Sequence, residues 1–325
     1  MKKNKPMRAA GVLLLATMLT TCMTAGTFAK YTTSDSAEDS ARVAKFGVVV
    51  SADGTLFGEE YNNNIIAYSD TANTGTVQVS SQGTNVVAPG TKNETGLGFS
   101  VNGTPEVDVE VTSTIETENI YLKSGTYGVM VEAQGVTDVN FYNTKLFVLS
   151  EGKYSHPDEY SDSATYYTIK DTVTLTDDYY PVVYTLDGGT NGTSDKDGTY
   201  TSDSLAEIAD TLKDQLDIGE NETTGTKTIQ ANKNLADTDV LNLDSEVLTW
   251  EWAYERDTNK EMYDGADTIL GDLSAFNEDD TTFIGTVVSL NTDGQTYTAL
   301  EKDAGDDNYS LNTKFNISIT VTQID

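Results

Sequence analysis

Asp187, Asn191, Asp195 and Asp197 fall in one glycine-rich stretch, D-G-G-T-N-G-T-S-D-K-D-G. Carboxylate and amide oxygens suit Ca2+, and Asp195-Lys196-Asp197-Gly198 has part of the spacing of a calcium loop. The distal bidentate glutamate of such a loop is missing, so the stretch also reads as a solvated turn. Ca2+ is the only cofactor it suggests. Asp306-Asp307-Asn308 is a second acidic cluster. Zinc hydrolysis needs three protein ligands and an open position. The chain has one histidine, His156, followed by Pro157 in a Tyr/Ser/Asp loop, and no H-E-x-x-H. It also lacks the G-x-S-x-G motif of a serine nucleophile. Its 52 Asp and Glu residues guarantee close carboxylate pairs somewhere, so pairing says nothing about glycoside hydrolysis. No catalytic residue or firm metal site is assigned, and the chain is not expected to be an enzyme.

One aromatic row remains. Leu248, Trp250, Trp252 and Tyr254 recur with a period of two, which puts them on one face of a strand. Exposed, such a row would stack on glycans and suit a monomeric cell-surface or glycan-binding module. Buried, it is core. With Thr249 and Glu251 on the opposite face, core is the favoured reading.

The elements that must position these residues are β-type. Five prolines, 26 glycines and abundant Thr, Val and Tyr favour strands and turns. Val43–Ser51 reads as the first strand, with a turn at Asp53-Gly54. Ile65–Tyr68, Val77–Ser80 and Asn85–Ala88 follow as short pieces, and Pro89-Gly90 suits a type II turn. Leu97–Val101 comes next, and Val107-Asp108-Val109-Glu110-Val111 is strict alternation, a half-buried antiparallel strand. Ala164–Ile169, Thr172–Leu175, Pro181–Leu186, Glu246–Tyr254, Thr281–Leu290 and Lys314–Gln323 continue the pattern. Ser204-Leu205-Ala206-Glu207 is a capping box. Leu205, Ile208, Ala209, Leu212 and Leu216 then form one apolar stripe, so Ser204–Ile218 is expected to be helical, with Gly219 at its end. A weaker helix is expected over Ala266–Leu273, with Gly271 inside it. The fold class expected is all-β: a jelly roll or β-sandwich of antiparallel strands, with one or two short helices in an insertion.

The first 29 residues have the order of a secretion signal. Lys2, Lys3, Lys5 and Arg8 precede an apolar run of about 11 residues, Ala9–Leu19, too short to span a bilayer comfortably. Thr27 and Ala29 take the −3 and −1 positions, so cleavage is expected between Ala29 and Lys30. The only cysteine, Cys22, lies in the signal. Leu19-Thr20-Thr21-Cys22 has lipoprotein-box spacing, but Thr21 is the wrong residue before the cysteine. A mature chain starting at Lys30 holds no disulfide, and its 296 residues (325 less 29) are ample for a large core. Losing the four basic residues of the signal takes the formal charge from −32 to about −36. Such a chain repels nucleic acid and anionic lipid. Its self-repulsion would ease when salt, acid or divalent cations screen it. The C-terminus carries neither an apolar anchor nor a cell-wall sorting motif, so no tether is expected there. The expected organisation is a signal at 1–29, a flexible segment at 30–42, and a β-sandwich over 43–325 with an αβ insertion at about 150–235.

The junction of signal and first strand reads G-T-F-A, K-Y-T-T-S-D-S-A, A-R-V-A-K-F-G-V. It resembles the N-terminal signature of the TasA/camelysin family, secreted fibre-forming matrix proteins of Gram-positive bacteria. V-V-A-P-G-T-K at Val86–Lys92 and F-N-I-S-I-T-V-T at Phe315–Thr322 add to the resemblance, while about 150–235 has no part in it. Camelysin-type proteins carry a metallo-endopeptidase label, which the single histidine speaks against here. The resemblance implies removal of the signal by a dedicated, ER-type signal peptidase. It further implies export to the cell surface or extracellular matrix and head-to-tail assembly into a biofilm fibre. The partners would be copies of itself or related matrix subunits, with no nucleic acid and no membrane after cleavage. Assembly of this kind works by donor-strand exchange: the freed N-terminus of one subunit adds to an open sheet edge of the next. Tyr31, Val43, Phe46, Val48 and Val50 would carry it; the plainer alternative is an ordinary first strand paired within its own sheet, preceded by a floppy end.

Overall fold

The computed structural model describes residues 43–58, 66–69, 74–77, 85–188, 199–237, 239–243, 246–254, 260–277, 285–300 and 307–324. In chain order the first elements are β1 (Val48–Gly54), β2 (Ile66–Ser69), β3 (Thr74–Val77), β4 (Lys92–Gly103), β5 (Val109–Glu118), β6 (Tyr121–Leu122) and β7 (Gly125–Glu132). Next come α1 (Asp138–Phe141), β8 (Val148–Ser150), β9 (Lys153–Ser155), β10 (Tyr167–Leu175), β11 (Val182–Asp187), β12 (Thr199–Ser202), α2 (Leu205–Leu216) and β13 (Thr224–Ile229). The last are β14 (Glu246–Trp252), α3 (Lys260–Asn277), β15 (Thr286–Leu290), β16 (Tyr297–Ala299), β17 (Tyr309–Ser310) and β18 (Lys314–Gln323).

The fold is built mainly of antiparallel sheets, as the alternating strands imply. One sheet runs β1-β4-β14-β11-β12, a second β13-β5-β18 and a third β10-β7-β15-β16-β9-β8. The first two form a sandwich around one core. Phe99 and Val101 of β4, Tyr184 of β11 and Leu248 and Trp250 of β14 meet Val109, Val111 and Ile115 of β5 there. The third sheet turns Val129 and Val287 into the same core and packs Met130, Tyr154, Val288 and Tyr297 in a separate cluster.

Helix α2 packs against β5, β11, β12 and β13, so it bridges the two sheets of the sandwich. Leu205, Ile208, Ala209, Leu212 and Leu216 are all buried, as the stripe requires. Its N-terminus differs from a reciprocal capping box. Ser204 Oγ accepts from the Glu207 amide at 3.4 Å, but the Glu207 carboxylate accepts from Ser202 Oγ at 2.7 Å. Ser202 Oγ in turn accepts from the Ser204 amide, and Asn119 Oδ1 accepts from the Leu205 amide. The early orphan donors are thus satisfied by three side chains. The helix ends at Asp217, whose φ of 56° takes the left-handed position expected of Gly219.

Helix α3 is 18 residues long, well beyond Ala266–Leu273 and outside 150–235, and it packs on β7, β10 and β15. Ala266, Ile269, Leu270 and Leu273 are buried as expected. Gly271 is exposed, and a Cβ built there meets nothing within 4 Å. Gly271→Ala is therefore expected to stabilise the protein by about 0.5–1 kcal/mol. In urea unfolding the midpoint should rise with an unchanged slope; no rise would mean that the helix is not formed at this turn.

Other expectations shift. Strands of residues 150–235 pair with strands from the rest of the chain: β10 with β7, β11 with β14 and β13 with β5. Tyr167–Ile169 of the first piece and Thr172–Leu175 belong to the single strand β10, which starts three residues later than expected and is broken by a bulge between Lys170 and Val173 with Asp171 at φ 49°. Asn85–Ala88 is not a strand, whereas Pro89-Gly90 makes the expected turn. Gly90 has φ 83° and the Thr91 amide donates to Ala88 O at 3.0 Å. The first strand begins at Val48 rather than Val43 and runs through Asp53-Gly54 instead of turning there.

Candidate functional site

Two sheet edges meet along one side of the sandwich. Strand β1 ends the five-stranded sheet and β18 ends the three-stranded one, and the two strands approach each other. Val50 stands opposite Val101 and Ala52 opposite Phe99 in the antiparallel ladder. Opposed residues share a face, and Val101 and Phe99 are core, so Val50 and Ala52 also face inward. Yet Val50 is 45% exposed and Ala52 is exposed too.

The facing strand repeats the pattern. Ile317, Ile319 and Val321 stand opposite Ile115, Ser113 and Val111 of β5. Those three β5 residues are fully buried, whereas Phe315, Ile317, Ile319 and Val321 are only half-buried. Among the described residues the sandwich is therefore open between β1 and β18, with apolar side chains on both lips.

Past Lys314, and among the described residues, the β18 edge has none of the usual guards. Its register with β5 runs without a shift from Lys314–Glu118 to Gln323–Val109. From Phe315 to Gln323 it contains no charge and no proline. Among the described residues it pairs on one side only. A long, flat, uncharged edge is a template for another strand.

The segment that leads into β1 is fixed at one end of this seam. The Lys45 amide donates to Glu106 Oε2 at 2.9 Å, and the Glu106 amide donates to Lys45 O at 2.9 Å. Glu106 lies in the β4–β5 connection. β18 ends at the same pole, where the Ile324 amide donates to Asp108 O. Val43, at 70% exposure, and Phe46 precede the strand and face solvent.

No protein-family model, curated protein or solved structure matches the chain. Of those expected to form an assembly strand, Val48 and Val50 belong to β1, which pairs over seven residues with β4 of its own chain. Val43 and Phe46 lie just before it, while Ala29, Lys30 and Tyr31 lie outside the described residues. Of the calcium candidates, Asp187 is the exposed last residue of β11, placed between Thr199 and Val247. Asn191, Asp195 and Asp197 lie outside the described residues. Among the described residues no three His, Cys, Asp or Glu side chains are placed to hold a metal. His156 is exposed and stacks on Phe147 at 5.7 Å.

The tryptophans are core. Trp250 Nε1 donates to Leu56 O at 2.7 Å. Trp252 Nε1 donates to Asp267 Oδ1 at 3.2 Å, which also accepts from Tyr179 OH at 2.7 Å. Neither ring is placed to stack on a glycan, and Tyr254 lies past the end of β14. The open seam escapes the sequence because it depends on which strands end up side by side. The one signal available beforehand was the uncharged length of Phe315–Gln323.

Proposed function

We propose that the chain is a secreted structural subunit of an extracellular fibre or biofilm matrix. Subunits assemble head-to-tail: the N-terminal segment freed by signal removal adds as a strand in the open seam of the next copy. The open seam between β1 and β18 carries this reading. The N-terminal resemblance to TasA/camelysin proteins supports it, and export with removal of the signal by a dedicated peptidase belongs to the same proposal.

The geometry suggests how the strand would run. Because β1 is paired within its own chain, the donor is the stretch before it. Residues 30–42 extended reach about 43 Å, against about 34 Å for the ten residues of β18. That segment joins the described chain just before Lys45, which is clasped at the pole where β18 ends. In a copy stacked on that pole in the same orientation, it enters at the Lys314 end. It then runs antiparallel to β18, the pairing mode of every strand pair described in the fold. Such a contact does not close on itself, so it propagates.

Electron microscopy tests this on the chain beginning at Lys30 beside one lacking Lys30–Asp39, at low and physiological salt, with and without Ca2+. Filaments are expected from the first and monomers from the second. Monomers from both under every condition would leave a monomeric surface module in place of a fibre. Filaments from both would remove the N-terminal segment from the mechanism.

A further inference from the structure

The outer face of the three-stranded sheet is a regular hydroxyl plane. Thr226, Thr112 and Thr320 stand side by side in one rank, and Thr224, Thr114 and Ser318 in the next. On β13 and β18 these side chains are exposed, on β5 partly so. Thr114 and Thr224 hydroxyls lie 3.1 Å apart. Charges appear only at the margins. At one end Glu110 of the central strand occupies the next rank, between Thr228 and Thr322. At the other, Glu116 and Glu118 of β5 share the face with Lys314, which stands opposite Glu118 and bonds Glu116 at 2.7 Å; that contact with an Asn316 hydrogen bond holds the Glu116 carboxyl below its ordinary range. In a chain of formal charge −32 these two ranks are an uncharged surface.

We propose that this face joins filaments side by side, its occupant being the same face of a second copy in a neighbouring filament. The inference rests on the fibre reading. Copies this acidic repel one another over most of their surface, and the neutral plane is where two can approach without that cost. Threonine rows also offer methyl groups and hydroxyls that pair across a flat contact. The plane carries no aromatic ring, the group that glycan stacking uses, which favours protein over polysaccharide as the partner. Its area decides the setting. Three strands by the two uncharged ranks, about 14 Å of length, give roughly 200 Å2, well under the ~800 Å2 per partner of a stable complex. Isolated subunits therefore do not pair through it. Filaments do, because the contact repeats along their length and multivalency multiplies a weak site.

The test compares filaments of the parent chain with those of Thr226→Glu/Thr320→Glu. A control, Thr174→Glu/Thr201→Glu, adds the same charge at exposed positions off the face. Low-speed pelleting and electron microscopy read the bundled fraction, with monomer mass checked by sedimentation. The face variant is expected to keep single filaments and lose bundling by about tenfold, while the control bundles like the parent. Equal bundling in all three, equal loss in both variants, or a parent that never bundles would each overturn the assignment. Bundling that needs added cell-wall polysaccharide would overturn it in favour of a glycan partner. Failure of the parent to form filaments would sink the fibre reading instead, and is seen separately.

Discussion

Trp250→Ala is expected to cost about 3–5 kcal/mol of stability, a large share of the 5–15 kcal/mol that holds a domain together. Trp250 is 2% exposed and sits on β14, between β4 and β11. Its ring centroid lies 5.9 Å from that of Phe57. Its indole N–H donates to Leu56 O, which ties the chain after β1 to the middle of the sheet. Truncation leaves a cavity where the strands on both sides are fixed by their own ladders, so little collapse can fill it. Leu56 O keeps a second donor, Asn93 Nδ2 at 3.0 Å, so the loss is mainly packing. Trp250→Phe should accordingly cost clearly less. Urea unfolding followed by circular dichroism measures both; a change below about 1 kcal/mol for the alanine variant would contradict a core position.

Ile319→Lys is expected to abolish filaments while leaving a folded monomer. Ile319 lies in the middle of β18, faces inward and is half-buried. A lysine there can reach water through the open seam by extending its stem, so folding survives at modest cost. An inward-pointing charge on an edge strand is also a device by which sheets refuse further strands. The incoming segment would have to bury that ammonium. Thermal unfolding should show a cooperative transition for the variant, and microscopy should show no fibres where the parent forms them. Abundant fibres from Ile319→Lys would mean that the strand adds elsewhere.

Much of the fold was legible because period and capping are local. Val107–Val111, Phe315–Val321 and the Trp250/Trp252 row each alternate, and each turns its apolar side into the core. The α2 stripe and the Ser204 cap sit within one helical turn or a few. What escaped was set by non-local pairing or by weak local signals. Strand β13, T-G-T-K-T-I, lacks clear alternation, and its Lys227 extends to bond Gln215 O and Val240 O. The three residues of β16 are too few for any period to appear. The bulge at Asp171 made one strand look like two. The seam needed still more: Val50 is exposed because β1 ends its sheet, and Ile319 only half-buried because β18 ends another.

The clasp between Lys45 and Glu106 has a mechanical consequence. In a fibre assembled through the N-terminal segment, a pull along the axis would enter each subunit at Lys45 and load β1 lengthwise against β4. The hydrogen bonds of an antiparallel ladder lie across the strands. Tension would therefore shear all seven residue pairs of β1 and β4 together, rather than unzip them one at a time. A subunit attached in this way resists stretching far better than its individual bonds would, and the fibre could bear strain without its members coming apart.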